Sequence, residues 1–198
     1  SGWLTPPRQI GLAALLGLSL VAAGLALRRA DREYASLLPA GGIIILYLST
    51  YAAHSVYHLV SFDTGFAAVS VVSSACIGLY TQLRHDSYVI TAAVGSYLSP
   101  MALLYNGDAT FTLTYLLCCS TAFAVISVWL RTRTMTLIST YLALFITAYL
   151  GQDLKQDALV ASLLALHFIV FTVGSWLFTL HNRTPLSETE AWAALPVL

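Results

Sequence analysis

Residues 9–27 read QIGLAALLGLSLVAAGLAL, nineteen positions without a single charged side chain. Coiled as an α-helix at 1.5 Å per residue, the stretch is about 28 Å long, close to the ~30 Å hydrocarbon thickness of a bilayer. It is apolar on every side, so it has no face to offer to water. Comparable stretches follow at residues 37–59, 65–83, 88–105, 111–130, 135–150 and 158–180, and the turns between them hold only four to nine residues. Turns that short force neighbouring helices to run antiparallel. The pattern predicts an all-α, polytopic transmembrane helical bundle of about seven spans arranged as consecutive hairpins. It also predicts one integral-membrane helical domain over residues 1–198. The alternating ten-residue segments of a transmembrane β-barrel do not occur.

Composition supports the same reading. Charged residues make up 9% of the 198, whereas a soluble domain carries about 25%. Mean hydropathy is +0.78, which excludes a disordered chain. Nine Lys and Arg balance nine Asp and Glu, so the basic excess of a nucleic-acid-binding protein is missing. With turns alternating across the bilayer, Arg28, Arg29, Arg32, Arg84, Arg131, Arg133 and Arg183 share one side. Arg8 and Lys155 occupy the other. Positive residues favour the cytoplasm, which places the N-terminus outside and the C-terminus in the cytoplasm. An outside N-terminus carrying Arg8 points to a further helix upstream of Ser1. Cys76, Cys118 and Cys119 lie in apolar runs without metal-ligand spacing, and no metal or cofactor is expected. The Asn182-Arg183-Thr184 sequon falls on the cytoplasmic side, where it is not used.

Three polar or small-residue patterns are candidates for function. Tyr47, Tyr51, His54 and His58 recur at i, i+4, i+7 and i+11 of the second span, which on a regular helix forms one stripe. Two histidines at i, i+4 suit metal or haem ligation or proton relay, but a metal site needs further ligands, and the expected role is a hydrogen-bonded helix contact or interface belt. In the fourth span, Gly95-Ser96-Tyr97-Leu98-Ser99-Pro100 contains a proline that strips Ser96 of its carbonyl's backbone donor. Such an interruption either kinks a structural helix or lines a substrate path. Ser70, Ser74 and Gly78 repeat every four residues in the third span, and Ala13 and Gly17, with Gly24 two turns further on, form a similar face in the first. Small residues at that spacing let helix backbones approach closely, within this chain's own bundle or against another subunit.

An ordered series of short motifs also resembles a bacterial family of large, many-helix predicted membrane proteins of unassigned function. Trp3-Leu4-Thr5-Pro6-Pro7-Arg8 precedes the first Gly/Ala/Leu-rich helix, which closes on Leu27-Arg28-Arg29. Gly41-Gly42 leads to Ile45-Leu46-Tyr47, then Tyr51-Ala52-Ala53 and Tyr57. The Gly95–Pro100 segment is similar to the family's Gly-Gly-Phe-Leu-Thr-Pro, with Ser96 and Ser99 replacing the second Gly and the Thr. The resemblance implies the bacterial cytoplasmic (inner) membrane and a chain that is a fragment or a short relative of longer proteins. It supplies no catalytic residues.

Three functions compete. A structural or accessory subunit packing against other membrane proteins needs small-residue faces and no buried charge. A transporter or lipid-handling protein would use the Pro100 break and the Tyr/His stripe, although ion pathways usually carry intramembrane charges and every Asp, Glu, Lys and Arg here falls between the spans. An intramembrane enzyme needs a positioned base or nucleophile, and no such constellation is recognisable. The expectation is an accessory subunit that is not an enzyme. Its partners are the bilayer and other membrane subunits, with no nucleic acid and no identifiable soluble substrate.

Overall fold

The computed structural model describes residues 5–27, 32–103, 109–154 and 157–184. Arg28, Arg29, Asp108, Lys155 and the Trp3-Leu4 motif lie outside them. The described residues form seven α-helices: α1 (Pro6–Leu27), α2 (Arg32–Tyr51), α3 (Phe62–Leu83), α4 (Asp86–Leu103), α5 (Ala109–Leu130), α6 (Arg133–Leu154) and α7 (Asp157–Asn182). A π turn, Ala52–Val56, extends α2. Six of these helices are long and apolar enough to cross a membrane, against the seven expected. The exception is α4. Its described length is 18 residues, and Asp86, Ser87, Ser96, Ser99 and Pro100 dilute its apolar content.

Most helices run past the apolar stretches into the polar turns, so the charges are not confined to loops. Arg8 stands in α1, Asp63 in the first turn of α3, Arg133 at the start of α6 and Asp157 at the start of α7. Acidic groups at a helix start oppose the positive end of its macrodipole and are stabilised there. Four helical segments end on non-glycine residues in left-handed backbone: His58 (φ 51), Arg84 (φ 53), Arg131 (φ 56) and Arg183 (φ 53). Glycine would fit that conformation with less strain. Arginine at three of the four ends instead places a cation against the negative end of the helix dipole.

The helices gather into two compact units, residues 1–105 and 106–198. In the first unit α1 packs on α2, and α2, α3 and α4 pack on one another. The α1–α2 contact is backbone against backbone. A Cβ on Gly17 would sit 2.8 Å from the Gly42 carbonyl oxygen, and one on Gly42 would collide with the Gly17 carbonyl. Further along, Gly24 lies against Pro39, a second proline inside a helix. Pro39 deprives the Ala35 carbonyl of its donor, and the site of a Gly24 Cβ is 3.0 Å from that oxygen. The small-residue face of α1 is therefore consumed in covering the α2 backbone. In the second unit α5, α6 and α7 pack mutually.

Candidate functional site

The α2–α4 face of the first unit brings together two of the sequence-predicted features that the chain separates by nearly fifty residues. Tyr47 on α2 lays its ring over Gly95 on α4: a Cβ at Gly95 would come within 2.6 Å of both Tyr47 Cε atoms, and nearer still to Cζ. The Tyr47 hydroxyl then reaches Ser73 Oγ on α3 at 2.7 Å. Ser96 Oγ on α4 reaches the same atom at 2.9 Å. Ser73 Oγ in turn donates its proton to the Val69 carbonyl at 2.9 Å. A hydroxyl has one proton and two lone pairs, so Tyr47 and Ser96 must both donate to Ser73. Three helices are thus joined through one saturated oxygen. No sequence pattern singled out Ser73, which lies one residue from the predicted Ser70/Ser74 stripe but is buried.

The interruption at Gly95, Ser99 and Pro100 is not an unwound segment, because α4 runs through it to Leu103. The reason is local. Ser99 Oγ donates at 2.8 Å to the Ser96 carbonyl, the very group that Pro100 leaves without a backbone donor. The side chain replaces the missing N–H, as a bilayer requires of any freed backbone group.

The four-residue stripe does not survive as a stripe. Tyr47 and Tyr51 line one cleft, but the π turn at Ala52–Val56 inserts extra residues into the helical period. The Tyr57 N–H bonds five residues back to Ala52, and the helix then stops. His58, in left-handed backbone beyond the helix, is exposed. His54 is turned inward instead. Its Nδ1 lies 3.0 Å from the Val60 carbonyl and its Nε2 3.2 Å from the Leu103 carbonyl, tying the end of α2 to the end of α4. Whichever nitrogen carries the proton donates to its carbonyl. Among the described residues, no group of three His, Cys, Asp or Glu converges.

A cleft of about 350 Å³ opens beside the Tyr47–Gly95 contact. Its walls are apolar, chiefly Ile44, Leu48, Val94 and Leu98. Three hydroxyls at its edge are already committed: Tyr47 to Ser73, Ser99 to Ser96, and Thr91 to the Ser87 carbonyl at 2.7 Å.

The predicted packing face, Ser70, Ser74 and Gly78, points away from the first unit's core and is exposed along its whole length. A Cβ on Gly78 would meet nothing within 4 Å. Ser70 and Ser74 donate to the Phe66 and Ser70 carbonyls at 2.9 and 2.8 Å, so their hydroxyls fold onto their own helix. What remains is a smooth, narrow surface with its side-chain hydrogen bonds satisfied.

The second unit contains a polar knot of its own. His167 on α7 is fully buried, with Ser120 Oγ of α5 at 2.9 Å from Nδ1 and Thr147 Oγ1 of α6 at 3.1 Å from Nε2. Ser120 places its proton on the Leu116 carbonyl at 3.0 Å. Nδ1–H therefore donates to Ser120, and Nε2 accepts from Thr147. In the sequence His167 is the lone histidine of the stretch 158–180, and its partners come from two other helices. Enclosed on all sides, the group joins helices.

A family model described as "Predicted membrane protein (DUF2339)" matches the chain over residues 1–198. No curated protein and no solved structure matches it.

Proposed function

Since the chain belongs to this family of predicted membrane proteins, DUF2339, we propose that it is an integral-membrane accessory subunit that docks other membrane proteins through the outward face of α3. The observation that carries this reading is the exposure of Ser70, Ser74 and Gly78. In lipid, helices associate through close packing of small residues rather than by hydrophobic drive. The equivalent face of α1 is already used on α2, which leaves the α3 face as the small-residue surface with room for a further helix. Tyr47, Ser73 and Ser96 in the first unit, and Ser120, Thr147 and His167 in the second, are engaged with one another, which suits a scaffold. The distribution of arginines and the family resemblance support a bacterial cytoplasmic membrane, with the N-terminus outside and the C-terminus in the cytoplasm.

The test is purification from native membranes in mild detergent, comparing the wild-type chain with Gly78→Leu. A membrane-protein companion in fixed ratio is expected with the wild type and is lost with the variant, whose own melting temperature stays unchanged. A wild-type chain that purifies alone would overturn the proposal. One observation favours a second reading, lipid handling: the 350 Å³ apolar cleft beside Tyr47 and Gly95 has walls suited to an alkyl chain.

A further inference from the structure

One end of the α5–α7 unit concentrates positive charge, only part of which the helix packing uses. Arg131 closes α5 and Arg183 follows α7, both exposed and both in left-handed backbone. Arg133 opens α6. Its guanidinium donates to the Thr184 carbonyl at 2.6 Å and to Thr179 Oγ1 at 3.4 Å, and its Cζ lies 4.6 Å over the Phe178 ring. Asn182 Nδ2 donates to the Val128 carbonyl at 3.2 Å. These bonds hold the end of α7 against the ends of α5 and α6, so the three arginines lie at one end of one three-helix unit. Arg133 is engaged in holding α7, which leaves Arg131 and Arg183 as the outward cations.

The depth of this end in the bilayer can be read from two tryptophans. Trp129 is 76% exposed and Trp176 is 62% exposed. Trp129 lies two residues before Arg131, and Trp176 six before Asn182, about 9 Å along the helix. Exposed indoles on lipid-facing helices sit at the headgroup level. The arginines then stand at the height of the lipid phosphates. Among the described residues at this end, 131–136 and 179–184, there is no Asp or Glu.

We propose that this end of the unit is a binding site for the phosphate of an anionic bilayer phospholipid, held between Arg131 and Arg183, with Trp129 and Trp176 against the upper acyl chain. Arg133 is a positioning residue that fixes α7 so that the two exposed arginines face the same phosphate. The proposal rests on the membrane location alone and is independent of the α3 docking face.

The experiment uses the full chain in phosphatidylcholine nanodiscs, titrated with phosphatidylglycerol and read by native mass spectrometry as bound lipid per chain. A basic residue near the headgroup plane contributes about fivefold to anionic-lipid affinity. Arg131→Gln/Arg183→Gln should therefore bind phosphatidylglycerol about 25-fold more weakly, whereas Arg131→Lys/Arg183→Lys retains most of the affinity. Inorganic phosphate at the same concentration should not compete, since the acyl chain contributes to binding. Equal retention of phosphatidylglycerol and phosphatidylcholine by the wild type would overturn the proposal. So would unchanged phosphatidylglycerol binding by a folded Arg131→Gln/Arg183→Gln variant. Thermal unfolding of each variant shows whether it is folded, and should the Gln pair unfold, the wild-type lipid comparison and the Lys pair decide the matter.

Discussion

Replacing Gly95 by alanine adds a single methyl group, and the structure places that methyl inside the Tyr47 ring. The new Cβ would lie 2.6 Å from two ring carbons, too close for either to stay. Overpacking of this kind costs about 1–3 kcal/mol. Moving the ring also pulls the Tyr47 hydroxyl from Ser73, a membrane hydrogen bond of roughly 0.6 kcal/mol on average. Against these, alanine in a helix gains about 0.5–1 kcal/mol over glycine. The net expectation is a loss of about 2 kcal/mol, close to 30-fold in the unfolding constant. Reversible unfolding in mixed micelles, graded with SDS, measures it. The stronger check is a double-mutant cycle. With Tyr47→Ala the ring is gone, so adding Gly95→Ala should cost nothing or gain up to about 1 kcal/mol, a coupling of about 2–3 kcal/mol. If the two substitutions simply add, the Tyr47–Gly95 contact does not hold α2 to α4 and the reasoning fails.

Other outcomes follow from the same bonds. Ser73→Ala removes the acceptor of two hydroxyl donors and should cost about 1–3 kcal/mol, whereas Ser70→Ala, whose hydroxyl serves only its own helix, should stay within about 0.5 kcal/mol in the same unfolding assay. Ser99→Ala should destabilise by about 1 kcal/mol because the Ser96 carbonyl loses its donor. Adding Pro100→Ala, which restores a backbone N–H, should cancel that loss, and a persistent deficit would show that the Ser99 bond does not replace the proline's missing donor. In the second unit, His167→Leu should destabilise by about 2 kcal/mol by leaving Ser120 and Thr147 without their partner. The triple change with Ser120→Ala and Thr147→Val should recover part of that stability, measured by thermal unfolding in detergent.

Much of the architecture was legible because a bilayer leaves so few alternatives. Uninterrupted apolar stretches such as residues 9–27 are spanning helices by length alone, and the observed helices coincide with them. What was hidden depends on register and on distant partners. Periodicity assumed an unbroken α-helix from Tyr47 to His58, and the π turn between them redirects the histidines. Spacing marked Ser70 and Ser74 as a close-packing face but carried no sign of which way it points; exposure reveals that it turns outward. The joints themselves, Ser73 between Tyr47 and Ser96 and His167 between Ser120 and Thr147, assemble from three helices each. A hydroxyl with two partners on other helices leaves no periodic trace. The approach of Gly24 to Pro39 and the Ala35 carbonyl joins two helices and likewise has no periodic trace.

The central claim, that the outward face of α3 receives another membrane protein, is tested most directly by a photoreactive amino acid at position 74 in native membranes. Leu15, 64% exposed on α1, provides the control position. The account predicts a discrete protein adduct from position 74 that disappears when Gly78→Leu is added, with only lipid adducts from position 15. Lipid adducts alone from both positions would contradict it.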